Sequence, residues 1–222
     1  WVYDPDAARG RAGLHASHFR GELEKQAQRL SAGMDRPPII VSPYDAELYG
    51  HWWFEGPIFL DDVFRQLHHD QHSIQPITPG DYLERHPVNQ VATPCASSWG
   101  KNGYNEQWLN ESNAWLWRHL HAAGERMIDL ARRYGEPKTE LERRALSQAA
   151  RELLLLQSSD WPFIMSTGTT VPYATRRFNE HVIQFNQLFD DLSGGKLDPV
   201  ALADMESRNN LFPDVDYRLY AM

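Results

Sequence analysis

The chain has 222 residues, 41% hydrophobic and 23% charged, with a formal net charge of -8, a length that suits one large domain or two small ones at ~100–200 residues each. The acidic balance argues against a nucleic-acid partner, which requires a basic footprint. No apolar run nears the ~20 residues that span a bilayer, so no membrane partner is expected, and the single cysteine, Cys95, excludes an internal disulfide and a cysteine-rich zinc site and favours a reducing compartment such as the cytoplasm.

Residues 1–5, Trp-Val-Tyr-Asp-Pro, lack the basic and apolar regions of a signal peptide and carry no Met; the sequence is expected to begin inside a longer protein. Apolar positions at helical spacing (Leu14, Phe19, Leu23, Leu30) predict a helix over 5–30 that stops at Ser31-Ala32-Gly33. Pro37-Pro38 leads into Ile39-Ile40-Val41, a β-branched run that reads as a short buried strand bounded by Ser42-Pro43. Residues 44–56 are too rich in Gly, Trp and charge for a regular element, and 57–70 predict a second helix with Pro57 in its first turn.

Pro76, Pro79, Pro87, Pro94, Gly100 and Gly103 punctuate a connector with one short helix near 79–86, which Thr78 can cap. A long helix is predicted from about 104 to 134, ending at Gly135 and Pro137. Thr139-Glu140-Leu141-Glu142 is a capping box opening the next helix, which ends in Leu153–Leu156. A further long helix spans roughly 171–192 before Gly194-Gly195, and Asp198-Pro199 opens a short last one. The expected fold is mainly α: a helix–strand unit over 1–75, then a helical bundle over 76–222. A lone strand needs neighbours for its backbone donors and acceptors, so residues 1–75 are expected to be the last piece of a larger α/β domain.

Functional groups in α/β folds gather just past the C-terminal ends of strands. Asp45 and Glu47 stand there. Continued strand geometry would point both the same way, and paired carboxylates suit glycoside chemistry; alternatively, Asp45 caps a turn and Glu47 is solvated. His51, Trp52 and Trp53 follow in one short loop, where adjacent tryptophans point apart, one into a core and one along a groove. Eight tryptophans in all fit either a bulky core or a surface that stacks flat, partly apolar ligands such as sugars. Trp99, beside glycines, is the better ligand candidate. Trp108 and Trp115, seven apart, would share one helix face, and Trp115 and Trp117 read as core. Asp160 and Trp161 follow directly on a buried helix end, where they suit hydroxyl recognition and stacking; an N-cap role for Asp160 is the alternative. His68 and His72 have i, i+4 spacing but no HExxH motif, and read as a solvated helix end, so no metal site is assigned.

Together these stretches resemble a known family. Residues 42–56, Ser-Pro-Tyr-Asp-Ala-Glu-Leu-Tyr-Gly-His-Trp-Trp-Phe-Glu-Gly, look like the fourth signature of family 57 glycoside hydrolases in its glycogen-branching variant. Ala96–Gly100 with Gly103–Asn105, Trp108–Asn110 and Arg118-His119, and Leu156–Phe163 with Thr167-Gly168, are similar to the helical domain of the same subgroup. The resemblance implies an incomplete (β/α)7 barrel, here represented by its C-terminal piece, followed by a helical domain lining a glucan cleft. It implies retaining cleavage of α-1,4-glucan with transfer to a 6-hydroxyl, Asp45 as general acid/base, and Trp99 and Trp108 lining the cleft. His51, Trp52, Trp53, Asp160 and Trp161 fall in matched motifs as substrate-binding candidates. The nucleophile, a Glu on an earlier barrel strand, is absent from this sequence. Glu47 cannot replace it, because a side chain two residues from the acid approaches the sugar from the same side. The expected partners are α-glucan (amylose or glycogen) and an upstream barrel half in the same or an associated chain; no cofactor is implied. The alternatives are an α-amylase or 4-α-glucanotransferase of the same family, or a non-catalytic glucan-binding module.

Overall fold

A computed structural model describes residues 2–221. The chain divides into two compact units, the first ending at Thr93 and the second beginning at Pro94. Among the described residues the regular structure is helical, with an isolated bridge between Tyr49 and Trp53.

In the first unit, α1 (Pro5–Ser31) opens on Asp4, whose side chain accepts from the backbone N–H groups of Asp6 and Ala7. α2 (Gly56–His69) carries Pro57 in its first turn. Ala12 and Ala16 of α1 pack against Phe59, Val63 and Leu67 of α2, with Phe19 and Trp53 at the margin. The small residues let the two helices approach closely. α3 (Pro79–Arg85) is capped by the Thr78 hydroxyl. The Tyr82 hydroxyl donates to the Pro37 carbonyl at 2.9 Å, and Arg36 donates to the Val88 carbonyl. These ties hold residues 79–88 to the first unit, which extends to Thr93.

Residues 39–41 form no strand among the described residues. The β-branched run has the right composition, but it pairs in no ladder with another described segment, and a strand is defined by such a ladder. Ile39 and Ile40 are instead half-buried along an apolar cavity of about 590 Å³ shared with Phe19, Leu23, Phe59 and Val63.

The second unit is a bundle built on α4 (Trp115–Arg133), α5 (Glu140–Leu156), α6 (Asp160–Thr167), α7 (Val171–Gly194) and α8 (Pro199–Arg208). Its core includes Met127, Leu130, Leu146, Leu153, Phe178 and Phe185, all essentially inaccessible to solvent. Half of the capping box on α5 forms: the Thr139 hydroxyl accepts from the Glu142 N–H at 3.1 Å, while the Glu142 carboxylate reaches one residue past the N-cap and accepts from the Lys138 N–H at 2.6 Å. α7 ends on Gly195 at φ 63°, the left-handed stop for which Gly is suited.

The predicted helix over 104–134 begins eleven residues late, at Trp115. Before it the chain makes two 3-10 turns, Lys101–Gly103 and Asn105–Gln107, and then tight turns. Asn110 and Asn113 are responsible: the Asn110 side-chain Oδ1 accepts from the Ser112 N–H at 2.9 Å, and the Asn113 Oδ1 accepts from the Asn110 N–H at 2.8 Å. Asparagine side chains compete with the helical ladder in this way. Trp108 and Trp115 therefore do not share a helix face.

Between α5 and α7 lies a buried polar chain. His181 Nδ1 and Glu152 Oε2 are 2.7 Å apart with both side chains fully buried, and Arg177 donates to His181 Nε2 at 3.1 Å. Arginine can only donate. His181 Nε2 must therefore accept, its proton sits on Nδ1, and Glu152 accepts that proton's hydrogen bond.

Candidate functional site

In the first unit, Asp45 is exposed at the end of the extended segment, at φ -64° and ψ 133°. It precedes a 3-10 turn, Ala46–Leu48, and its side chain makes no cap hydrogen bond to that turn. The turn-capping alternative is thereby removed, leaving a carboxylate not committed to the local backbone. Glu47 lies inside the turn, so strand alternation does not pair it with Asp45. Instead its backbone carbonyl accepts from the N–H groups of His51 and Trp52, at 3.1 and 2.9 Å.

The loop closes on itself. The N–H groups of Gly50 and Gly56 both donate to the Trp53 carbonyl at 3.0 Å, with Gly50 at φ 117°. A Cβ on Gly56 would stand 2.8 Å from the Leu48 carbonyl oxygen and 2.9 Å from the Tyr49 Cα, so only glycine permits this approach. The adjacent tryptophans point apart as expected. Trp53 is half-buried against Phe59, with ring centroids 5.0 Å apart, and Trp52 is 75% exposed with His51 edge-on at 5.2 Å. Trp53 is thus spent largely on packing. Tyr44, one residue before Asp45, meets Phe19 and Tyr49 edge-on at 6.4 and 6.1 Å. It anchors the acid's backbone, a role that its sequence position does not reveal. Burial pushes the Tyr49 phenol above its usual range. The Tyr3 hydroxyl donates to Glu55, and that bond, the main cause, raises the Tyr3 phenol.

In the second unit, Trp99 is 76% exposed and rests on two other rings: Trp108, perpendicular at 4.9 Å, and Phe163 of α6, tilted at 5.6 Å. The loop beneath is closed by Ser98. Its N–H donates to the Gly103 carbonyl at 2.8 Å, its hydroxyl to the Tyr104 carbonyl at 2.6 Å, and its oxygen accepts from the Gly100 N–H at 3.0 Å. Gly100 lies flat under the Trp108 ring, where a Cβ would approach the indole to 2.7 Å. The Trp117 indole N–H donates to the Trp108 carbonyl at 3.1 Å, and Trp115 packs on Phe178 at 5.3 Å, which gives those two the structural roles their spacing suggested.

Asp160 is exposed at the first position of α6 and accepts from the Ser158 hydroxyl at 3.0 Å; it is not the N-cap, which is Ser159. Trp161 departs from expectation. It is 8% exposed, its indole N–H donates to the Leu155 carbonyl at 2.8 Å, and its ring stacks over His181 at 6.5 Å. A buried indole has no face to offer a sugar, so Trp161 anchors α6 from within. Phe163, its neighbour two residues on, completes the aromatic platform and was missed as a candidate because its sequence setting resembles ordinary core. No group of three or more His, Cys, Asp or Glu among the described residues is placed to hold a metal ion.

Residues 119–220 match the family model described as the C-terminal domain of 1,4-alpha-glucan branching enzyme. The 1,4-alpha-glucan branching enzyme TK1436 of Thermococcus kodakarensis is 36% identical over 219 residues, 96% of this chain and 32% of that protein. The crystal structure of TK1436, a family 57 branching enzyme in complex with glucose and additives, superposes over the whole chain and 40% of its own, with a TM-score of 0.72 and 35% identity. The chain is thus similar along nearly its whole length to one part of a family 57 branching enzyme. The alpha-amylase AmyC of Thermotoga maritima is also similar, at 40% identity and a TM-score of 0.66 over the whole chain and 41% of its own. The chain spans between about a third and two fifths of the length of these relatives. Among its described residues no helix is long and apolar enough to cross a membrane.

Proposed function

We propose that this chain supplies the general acid/base and the glucan-binding aromatic platform of a retaining 1,4-alpha-glucan branching enzyme, acting in the cytoplasm in glycogen biosynthesis. The observation that carries this reading is the similarity to a named branching enzyme along 96% of the chain, through both the Asp45 loop and the Trp99 platform. Residues up to about 75 are read as the tail of the catalytic barrel, with the nucleophilic carboxylate upstream. The half-open apolar cavity beside Ile39 and Ile40 supports that reading, since a strand in that position would pair with barrel strands laid over it.

Asp45 protonates the departing glycosidic oxygen as the upstream carboxylate attacks the anomeric carbon, which leaves a covalent glycosyl–enzyme. Asp45, now a carboxylate, removes the proton from an incoming 6-hydroxyl, and that oxygen displaces the enzyme carboxylate to form the α-1,6 bond. The exposure of Asp45 and its lack of a cap bond leave the carboxylate available for both transfers. Trp99, with Trp108 and Phe163 behind it, stacks on the apolar face of a glucose unit. His51 and Trp52 at the exposed edge of the Asp45 loop, and Asp160 at the start of α6, are polar or stacking contacts, and Trp53 and Trp161 pack beneath their own segments.

The similarity to an alpha-amylase keeps one alternative in view: hydrolysis of α-1,4-glucan. Product linkage separates the two. The full-length protein is incubated with amylose, and reducing ends are counted before and after an α-1,6 debranching enzyme. Branching gives ends that appear only after debranching; hydrolysis gives them at once. Asp45→Asn should nearly abolish turnover while leaving thermal unfolding unchanged, and wild-type turnover in that variant would refute the acid/base role.

A further inference from the structure

We propose that Asn113 is a positioning residue for the aromatic platform, fixing the gap between Trp108 and Phe163 into which Trp99 seats. The proposal rests on the platform binding glucan, as above. Asn113 is fully buried. Its amide nitrogen donates to the Pro162 carbonyl at 3.0 Å and to the Gln107 carbonyl at 3.2 Å, and its oxygen accepts from the Asn110 N–H at 2.8 Å. Gln107 immediately precedes Trp108, and Pro162 immediately precedes Phe163. One side-chain amide thus grips the backbone just ahead of each supporting ring. Trp99 lies against both rings, 4.9 Å from one and 5.6 Å from the other, so a change in that grip changes the seat of the exposed indole.

A buried amide is a costly way to fill space: desolvation is offset only when every donor is satisfied, and a leucine of similar volume would pack without that demand. What the amide adds is direction. Its two N–H groups diverge in a fixed plane and aim at two carbonyls on separate segments. Asn110 repeats the arrangement one turn away: its amide nitrogen donates to the Glu106 carbonyl at 2.8 Å and to the Ser166 hydroxyl of α6 at 3.0 Å. Both asparagines join the turns bearing Trp108 to the helix bearing Phe163, and neither touches the exposed face of Trp99.

The test compares Asn113→Asp, Asn113→Leu, Asn110→Ala, Trp99→Ala and the core variant Leu130→Ala in the full-length protein. Three quantities are read: KM and kcat on amylose, the dissociation constant for maltoheptaose from tryptophan fluorescence, and thermal unfolding. Asn113→Asp keeps the acceptor but turns the donor toward both carbonyls into an oxygen; Asn113→Leu keeps volume and removes all three bonds. Both are expected to raise KM and the dissociation constant about tenfold, with kcat within about threefold of wild type; Asn110→Ala should raise them about threefold. Leu130→Ala should lower the unfolding temperature and leave KM alone. If Leu130→Ala raises KM as much as the Asn113 variants, or if every folded Asn113 and Asn110 variant binds like wild type while Trp99→Ala does not, Asn113 does not position the platform. If Trp99→Ala itself binds like wild type, it is the glucan-platform reading that fails.

Discussion

Replacing Gly56 by Ala should cost activity out of proportion to stability. The added methyl would stand 2.8 Å from the Leu48 carbonyl oxygen and 2.9 Å from the Tyr49 Cα, and both atoms belong to the backbone. Bringing the first contact to an ordinary 3.4 Å requires a shift of about 0.6 Å (3.4 minus 2.8). Those two residues close the turn that begins at Asp45, so the shift passes to the acid's backbone within three residues. Overpacking of this kind costs about 1–3 kcal/mol, while the better helix propensity of alanine returns at most about 1 kcal/mol. Folding should therefore be weakened by roughly 0–3 kcal/mol. Catalysis is more sensitive, because a misplacement near 1 Å can cost ~100-fold; a tenfold or greater loss of kcat is expected. The control is Gly124→Ala, within α4, where an added Cβ meets nothing within 4 Å. It should stabilise by up to about 1 kcal/mol without touching turnover. Branching is followed by reducing ends released on debranching, and stability by urea unfolding. A Gly56→Ala protein that turns over like wild type would refute the close-approach argument.

Gly100→Ala should displace the Trp108 ring, which a Cβ would meet at 2.7 Å; the fluorescence change on maltoheptaose binding should shrink and KM rise, with little change in unfolding because an indole can rotate aside. Glu152→Gln should destabilise the second unit by about 1–3 kcal/mol in chemical denaturation. Arg177 fixes a donor at His181, and Arg151 donates to the Gln148 oxygen, which turns the Gln148 nitrogen toward Glu152. Either orientation of the new amide then meets a donor with a donor, and an unchanged midpoint would refute the assignment of Glu152 as acceptor at both oxygens. Burial raises the phenols of Tyr217 and Tyr220 above their ordinary 10.0. An acid whose folded pKa is raised gives stability that is complete below its unfolded pKa and lost as pH climbs through the folded one. The unfolding temperature should fall above about pH 10, and Tyr217→Phe should flatten that fall, although it also removes the bond to the Tyr134 carbonyl.

The helices whose ends rest on neighbouring residues were legible from the sequence. Asp4, Thr78, Thr139 and Asp198 each cap a helix through backbone groups two or three residues on, so the signal and its partner lie in one short window. The Asp45 loop and Trp99 were legible as candidates through family resemblance, and the split between Trp52 and Trp53 through the simple geometry of adjacent side chains.

What the sequence could not supply were features decided by distant partners. Ile39–Val41 has strand composition, yet a strand exists only when paired, and the run pairs with no other segment among the described residues. The start of α4 depends on Asn110 and Asn113, whose amides bond to Ser166 and to the Pro162 carbonyl about fifty residues away. Trp161 has the sequence setting of a stacking surface, but its indole N–H donates to the Leu155 carbonyl and its ring lies over His181. Local hydrogen-bond chemistry therefore set where most helices begin and end, and the packing of α6 against the turns ahead of α4 decided which aromatic rings face solvent. Burial depends on the sum of contacts with segments that a linear pattern does not bring together.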